Sequence, residues 1–395
     1  MNIKKFADVG TFFVFRHPIL NCFHTFKIQE DTSMKKTLLI SLIIGVFCIA
    51  ASAQKISKPT LTAKPATEVQ SILIRQGVAF HDAKRYNDAI AIYEKVLAEN
   101  PDCAAAIYEL ALTYYTKGDT VKAMETANRG SKYTSDELPL FYGIMANVID
   151  DVGKPYEAIQ IYRDAIKILE GDKQFLKYLS SLHYNLGVTY VGQNKYNDAR
   201  IDLKRAVEYD NKYASPHYLL SIVYDHSKYK VPAMLAAARL ISLEFNSQRA
   251  QMSAAIFSSG MKPAGKDEKT GNISITLDLN APKDEGDFGT FDLLLGTLTT
   301  FKDEKDKNKS EAEIFADAVE KFAALISEDK KLRSTFIGKN YVPFIVDMKK
   351  QGHTKAFAYL VLYNNGNADA LKWLKENGIQ LEAFINWSKA YALPK

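Results

Sequence analysis

The chain has 395 residues, 47% of them hydrophobic and 25% charged, a balance that fits folded, soluble domains and excludes a disordered polyelectrolyte. Its net charge of +5 is no footprint for nucleic acid: six of the 51 basic residues and three of the 46 acidic ones fall before Gln54, leaving 45 against 43 from there onward. A nucleic-acid binder needs a concentrated basic face instead.

The first predicted element is an export signal. Lys35 and Lys36 lead an apolar run from Leu38 to Ala50, too short to span a bilayer. Ala51-Ser52-Ala53 follows, the small-x-small pattern a signal peptidase needs. Residues 34–53 therefore read as a signal peptide cleaved between Ala53 and Gln54, leaving no membrane span in the mature chain. Such a signal begins at the initiator, so Met34 is the expected start and residues 1–33 an over-extended reading frame. Lipid attachment at Cys48 is the alternative, and the bulky Phe47 before it argues against it. Cys103 is then the one thiol of the mature chain, read as a small buried residue at a helix start.

Residues 54–67 read as a linker, and residues 68–250 as a repeat array. A small residue recurs at Gly77, Ala111, Ala146, Gly187 and Ser221, in steps of 34, 35, 41 and 34. Three residues after each stand Phe80, Tyr114, Ile149, Tyr190 and Tyr224; twelve after each stand Ala89, Ala123, Ala158, Ala199 and Ala233; sixteen after each stand Tyr93, Ala127, Tyr162, Leu203 and Ala237. This spacing predicts pairs of helices crossing closely at the small residues, with the recurring small residue facing the recurring alanine, and with polar turns such as Lys84–Asn87 between them. The seven extra residues between Ala158 and Gly187 amount to about two helical turns, so helices there can lengthen without losing register.

The pattern resembles a tetratricopeptide repeat, whose period is about 34 residues. The resemblance covers about residues 70–245 and implies an all-α, right-handed superhelix of about five hairpins whose first helices line a concave, ligand-facing side. Transferred by position, the ligand-facing residues include Tyr108, Tyr115, Asn147, Tyr184, Asn185 and Tyr218. Flat amphipathic rings there suit an extended peptide or a helix. Ile74 and Val78 stand where the family's carboxylate-clamp members carry a lysine and an asparagine, so capture of a terminal carboxylate is not expected.

Residues 251–309 read as a loop and linker, with alternation at Ile273, Ile275, Leu277 and Leu279 marking a short strand and an alternating-charge run from Lys302 to Lys309. Residues 310–395 read as a helical C-terminal domain, with Gly378 as a helix stop and Trp373, Phe384 and Trp387 as core aromatics. No catalytic motif, metal-ligand spacing or cofactor signature occurs in the chain. The expected function is a non-enzymatic, exported scaffold, periplasmic or secreted, that binds a protein or peptide. The alternatives are a fixed part of an envelope assembly complex, or a hydrolase with its site in the C-terminal domain.

Overall fold

A computed structural model describes residues 56–262, 283–298, 308–328 and 330–393. The signal segment with its Ala53–Gln54 cleavage point, Cys48, residues 1–33, the alternating stretch at Ile273–Leu279 and the charge run from Lys302 up to residue 307 lie outside the described residues.

Five helical hairpins follow one another: α1 (Glu68–Asp82) with α2 (Tyr86–Glu99), α3 (Ala104–Lys117) with α4 (Thr120–Gly130), α5 (Leu138–Asp151) with α6 (Pro155–Leu169), α7 (Leu176–Gly192) with α8 (Tyr196–Tyr209), and α9 (Ala214–His226) with α10 (Lys230–Leu243). Each recurring alanine is the fourth residue of its second helix and at most 1% exposed. Its N–H closes that helix's first turn on the carbonyl four residues back, at 2.9–3.1 Å from Ala89 to Ala233. The predicted register therefore holds in all five repeats, and the fold is the all-α hairpin array expected.

The turns share one geometry. The residue seven after each small marker takes a positive φ: Lys84 (60°), Gly118 (90°), Gly153 (82°), Asn194 (56°) and Lys228 (64°). The next N–H then bonds the carbonyl of the residue at the end of the first helix, as in Arg85 N–H to Phe80 O, 2.8 Å, and Tyr229 N–H to Tyr224 O, 2.8 Å. This reverses the chain in three residues and leaves few helix-end carbonyls without a donor.

Each first helix touches the next first helix, whereas no second helix makes a comparable contact with the next second helix. The first helices are thus the tighter side of the curve, and one hairpin's apolar face is buried by its neighbours. The long step is divided rather than added as two helical turns: α7 has 17 residues against 14 in α3, and a short 3₁₀ turn at Lys173–Phe175 follows Gly171.

Two segments read as linkers are packed on the array. Residues 56–66 run extended across it: Tyr142 donates to the Ser57 carbonyl at 2.9 Å, and β1 (Leu61–Thr62) pairs in parallel with β2 (Tyr133–Thr134). Lys64 then pairs with Asp102 at 2.9 Å, and Asn100 donates to the Pro65 carbonyl at 3.2 Å. Residues 251–261 belong to α11 (Gln248–Met261), which packs on α9 and α10. Gly260 sits so close to α10 that a Cβ there would lie 2.3 Å from Met234 Sδ.

The remaining helices are α12 (Gly289–Leu298), α13 (Glu311–Glu328), α14 (Phe336–Asn340), α15 (Val342–Lys350), α16 (Thr354–Asn364), α17 (Ala368–Glu376) and α18 (Gly378–Ala390). They close the end of the array: α16 covers α11, while α15 and α18 reach α10. The helix stop falls at Asn377, and Gly378 begins α18. Trp373 stacks on Tyr359 (4.3 Å) and Trp387 on Phe344 (5.2 Å), while Phe384 is fully buried. Polar clasps complete the docking. Buried His217 accepts through Nδ1 from Tyr341 (2.9 Å) and donates through Nε2 to Asn211 O (3.0 Å). Arg200 and Lys204 of α8 hold Asp284 and Glu285 at 2.5 and 2.7 Å, with Glu285 only 1% exposed. That second clasp brings the start of the C-terminal region onto repeat four.

Candidate binding face

The first-helix row does not present the rings expected of it. Tyr108, Tyr184 and Tyr218 are buried. Tyr108 meets Phe141 edge-on at 6.2 Å, Tyr184 meets Tyr213 at 5.3 Å, and Tyr218 donates to Met252 Sδ at 3.1 Å with the Arg249 guanidinium 5.5 Å from its ring centroid. First helices lie against one another, so a ring three residues before the small marker reaches the neighbouring repeat, and its apolar area is worth most when covered. Tyr115 alone among the four is half-buried, donating to Asp151 at 2.7 Å.

What the row does present is a ladder of polar contacts from one repeat to the next. His81 Nδ1 and Thr113 Oγ1 lie 2.8 Å apart between α1 and α3, Tyr115 joins α3 to α5 through Asp151, and Thr189 of α7 donates to Asp150 of α5 at 2.6 Å. His81–Thr113 and Asp150–Thr189 occupy equivalent places in their repeats. Burial holds His81 below the usual imidazole pKa, with Asp82 pulling weakly the other way.

Below this ladder the two long second-helix tyrosines, Tyr93 and Tyr162, reach between neighbouring first helices. Tyr162 donates to Asn147 Oδ1 and is also hydrogen-bonded to Asn185 of the next repeat. Asn147 and Asn185, both expected to face a ligand, are thereby brought together around a tyrosine that the sequence did not assign. Asn147 is 3% exposed, and its Nδ2 has no partner. At the equivalent place in the first repeat, Tyr93 is fully buried with its hydroxyl against Thr113 of the next repeat, and Val78 and Glu109 stand where Asn147 and Asn185 stand. The Glu109 carboxyl is pushed up to about 7, by burial first and then by Asp82 and Glu137. Glu109 was missed in the sequence, although it is the one charge in α3 before its terminal Lys117.

Among the described residues no three His, Cys, Asp or Glu side chains converge as metal ligands would, and no helix is long and apolar enough to cross a membrane. Cys103 is a buried free thiol before α3, and burial pushes its pKa up.

Residues 80–148 and 180–213 each match a family model described as tetratricopeptide repeat. No curated protein sequence matches the chain. Among solved structures, a thermophilic TPR protein of Thermus thermophilus is 19% identical with a TM-score of 0.38, covering 49% of this chain and 98% of its own. The pilF protein of Pseudomonas aeruginosa is 15% identical with a TM-score of 0.38, covering 68% and 96%. YrrB, described as a TPR protein with an unusual peptide-binding site, is 15% identical with a TM-score of 0.33, covering 46% and 90%. From the recurring alanines, the shared turn and the two matched stretches, the chain carries tetratricopeptide repeats.

Proposed function

We propose that the protein is an exported scaffold, periplasmic or secreted, that does no chemistry of its own and holds a peptide or protein segment along its first helices. The observation that carries this reading is Asn147. A buried amide donor with no partner costs about 1–3 kcal/mol, and this one lies in the first-helix row, where repeats of this kind face their ligands. A bound segment's backbone carbonyl would satisfy it. Export rests on the signal pattern from Met34 to Ala53.

Random dodecapeptides displayed on phage and panned against the full chain test the binding. Asn147→Ala should lose the recovered peptides at temperatures well below its own melting point, which will itself fall because Tyr162 loses a buried partner. Peptides retained equally by both proteins would remove the assignment. N-terminal sequencing of the protein from a bacterial envelope fraction should begin at Gln54; a start within residues 1–33 would contradict the export reading.

A further inference from the structure

We propose that the third repeat receives a large apolar side chain of the bound segment in the space above Gly143, with a backbone carbonyl of that segment on Asn147 Nδ2. This rests on the binding role of the first-helix row and adds the chemistry of the partner. Two independent observations meet at this place.

The first is a missing side chain. Three residues before the small marker, four repeats carry a large apolar or aromatic residue: Ile74, Tyr108, Tyr184 and Tyr218. The third repeat carries Gly143 instead. A Cβ at Gly77, Gly130, Gly187 or Gly260 would meet a side chain of this chain at 2.8 Å or less, so those glycines make room for a partner already present. A Cβ at Gly143 would meet Leu182 Cδ2 at 3.8 Å and no other neighbouring side chain within 4 Å. The room it leaves is not taken. The second observation is Asn147, one turn further along the same face of α5. A helical side chain leans over the turn before it, so this amide lies toward Gly143. Tyr162 holds its Oδ1, and the other arm, Nδ2, is the one without a partner. Gly143 and Asn147 form a buried floor. Leu140 and Asp150 at its two ends, and Asn185 and Val188 of α7 along its side, are half-buried, so the floor is approached from the inner side of the curve. The lining is apolar: Leu140, Leu182 and the Tyr108 ring that meets Phe141 of α5. Such walls suit an aliphatic or aromatic side chain, and the free donor suits the carbonyl that every residue of a bound segment carries.

The test uses the panned dodecapeptides. Those recovered on the parent should share a leucine, isoleucine, methionine or phenylalanine at one aligned position. Replacing that residue by alanine in one recovered peptide should weaken binding about tenfold, measured by fluorescence anisotropy. Gly143→Ala puts a methyl group into the space. It should bind the same peptide about tenfold more weakly while melting at or above the parent's temperature, a combination that damage to the fold does not give. The peptide's change to alanine should then cost less against Gly143→Ala than against the parent. If the peptides depend on Asn147 but bind Gly143→Ala as they bind the parent, or if the alanine replacement costs the same against both proteins, the apolar site is wrong and the groove stands. A Gly143→Ala protein that melts well below the parent would show that the fold itself fills the space, and would overturn the proposal as well. If the peptides do not depend on Asn147, or if none is recovered, the groove falls and the apolar site with it.

Discussion

The ring of Tyr93 lies directly across Gly77: a Cβ on that glycine would sit 2.4 Å from Tyr93 Cε1 and 2.7 Å from Cζ. The small marker of this repeat thus makes room for a large partner sixteen residues on, not for Ala89, and Gly187 does the same for Leu203 at 2.8 Å. Where the marker is Ala111 or Ser221, the partner shrinks to Ala127 or Ala237. Gly77→Ala should therefore cost about 1–3 kcal/mol through overpacking. Gly143, in the middle of α5 with Leu182 Cδ2 no nearer than 3.8 Å, is the control. Gly143→Ala should gain about 0.5–1 kcal/mol from helix propensity. Urea unfolding of the two variants that moved both midpoints the same way would contradict this account.

Two turns pay a strain that their equivalents avoid. Lys84 and Lys228 hold φ values of 60° and 64°, where Gly118 and Gly153 do the same work. A side chain in that region costs about 1–2 kcal/mol, partly offset by the greater freedom glycine loses on folding. Lys84→Gly and Lys228→Gly should each raise stability by up to about 1 kcal/mol. Thermal unfolding would show it, and a lower melting temperature in both would refute it.

How far the sequence reached follows from the range of each interaction. The hairpins were legible because small residues at a fixed spacing are demanded locally, where two helices joined by a short turn must cross. The direction of Tyr108, Tyr184 and Tyr218 was not, since whether a ring meets water or the next repeat depends on how tightly first helices stack. Residues 56–66 read as a linker because nothing in them announces a partner at Tyr133 or Tyr142, some 70 residues or more away in the chain. The Arg200–Asp284 clasp spans 84 residues and was invisible for the same reason. That Asn147 and Asn185 meet at Tyr162 could not be read either, because the residue joining them lies on a second helix.

The buried rings have a measurable consequence. Tyr184→Ala or Tyr218→Ala should cost about 3–5 kcal/mol, the penalty for removing a packed aromatic, and so lower stability before any partner is added. Asn185→Ala, at a half-buried position, should cost much less. Variants of the two tyrosines that melt with the parent would return those rings to the binding surface.

Glu109 should make stability fall as pH rises. Its carboxyl titrates near 4.5 when unfolded and is pushed up to about 7 when folded, so the folded state holds the proton more tightly. The sign is therefore a loss of stability between pH 4.5 and 7, on the order of 1–3 kcal/mol after allowing for its partial exposure. The titratable groups that act on it or feel it are Asp82 of α1, Tyr93 of α2, Tyr108 of its own helix and Glu137 before α5. Glu109→Gln should be more stable than the parent at pH 8 and nearly equal at pH 4. Urea midpoints at those two values decide it, and an equal gain at both would show that the charge is not responsible.

His217 acts in the opposite direction and at the other end of the array. Burial, and then the Arg239 charge, lower its pKa to about 3, while both ring nitrogens are already engaged by Tyr341 and the Asn211 carbonyl. The folded protein keeps the imidazole neutral, whereas the unfolded chain takes up a proton near pH 6.5. Stability present above pH 6.5 is therefore lost as the pH falls toward 3, about 1.4 kcal/mol for each unit in that window. Because Tyr341 belongs to the closing helices and His217 to α9, the loss falls on the seam between array and cap. His217→Gln, which carries no titrating group, should be less stable than the parent at pH 7 and lose less on going to pH 4.5. If the two proteins lose stability in parallel between those values, the imidazole is not the group that senses acid.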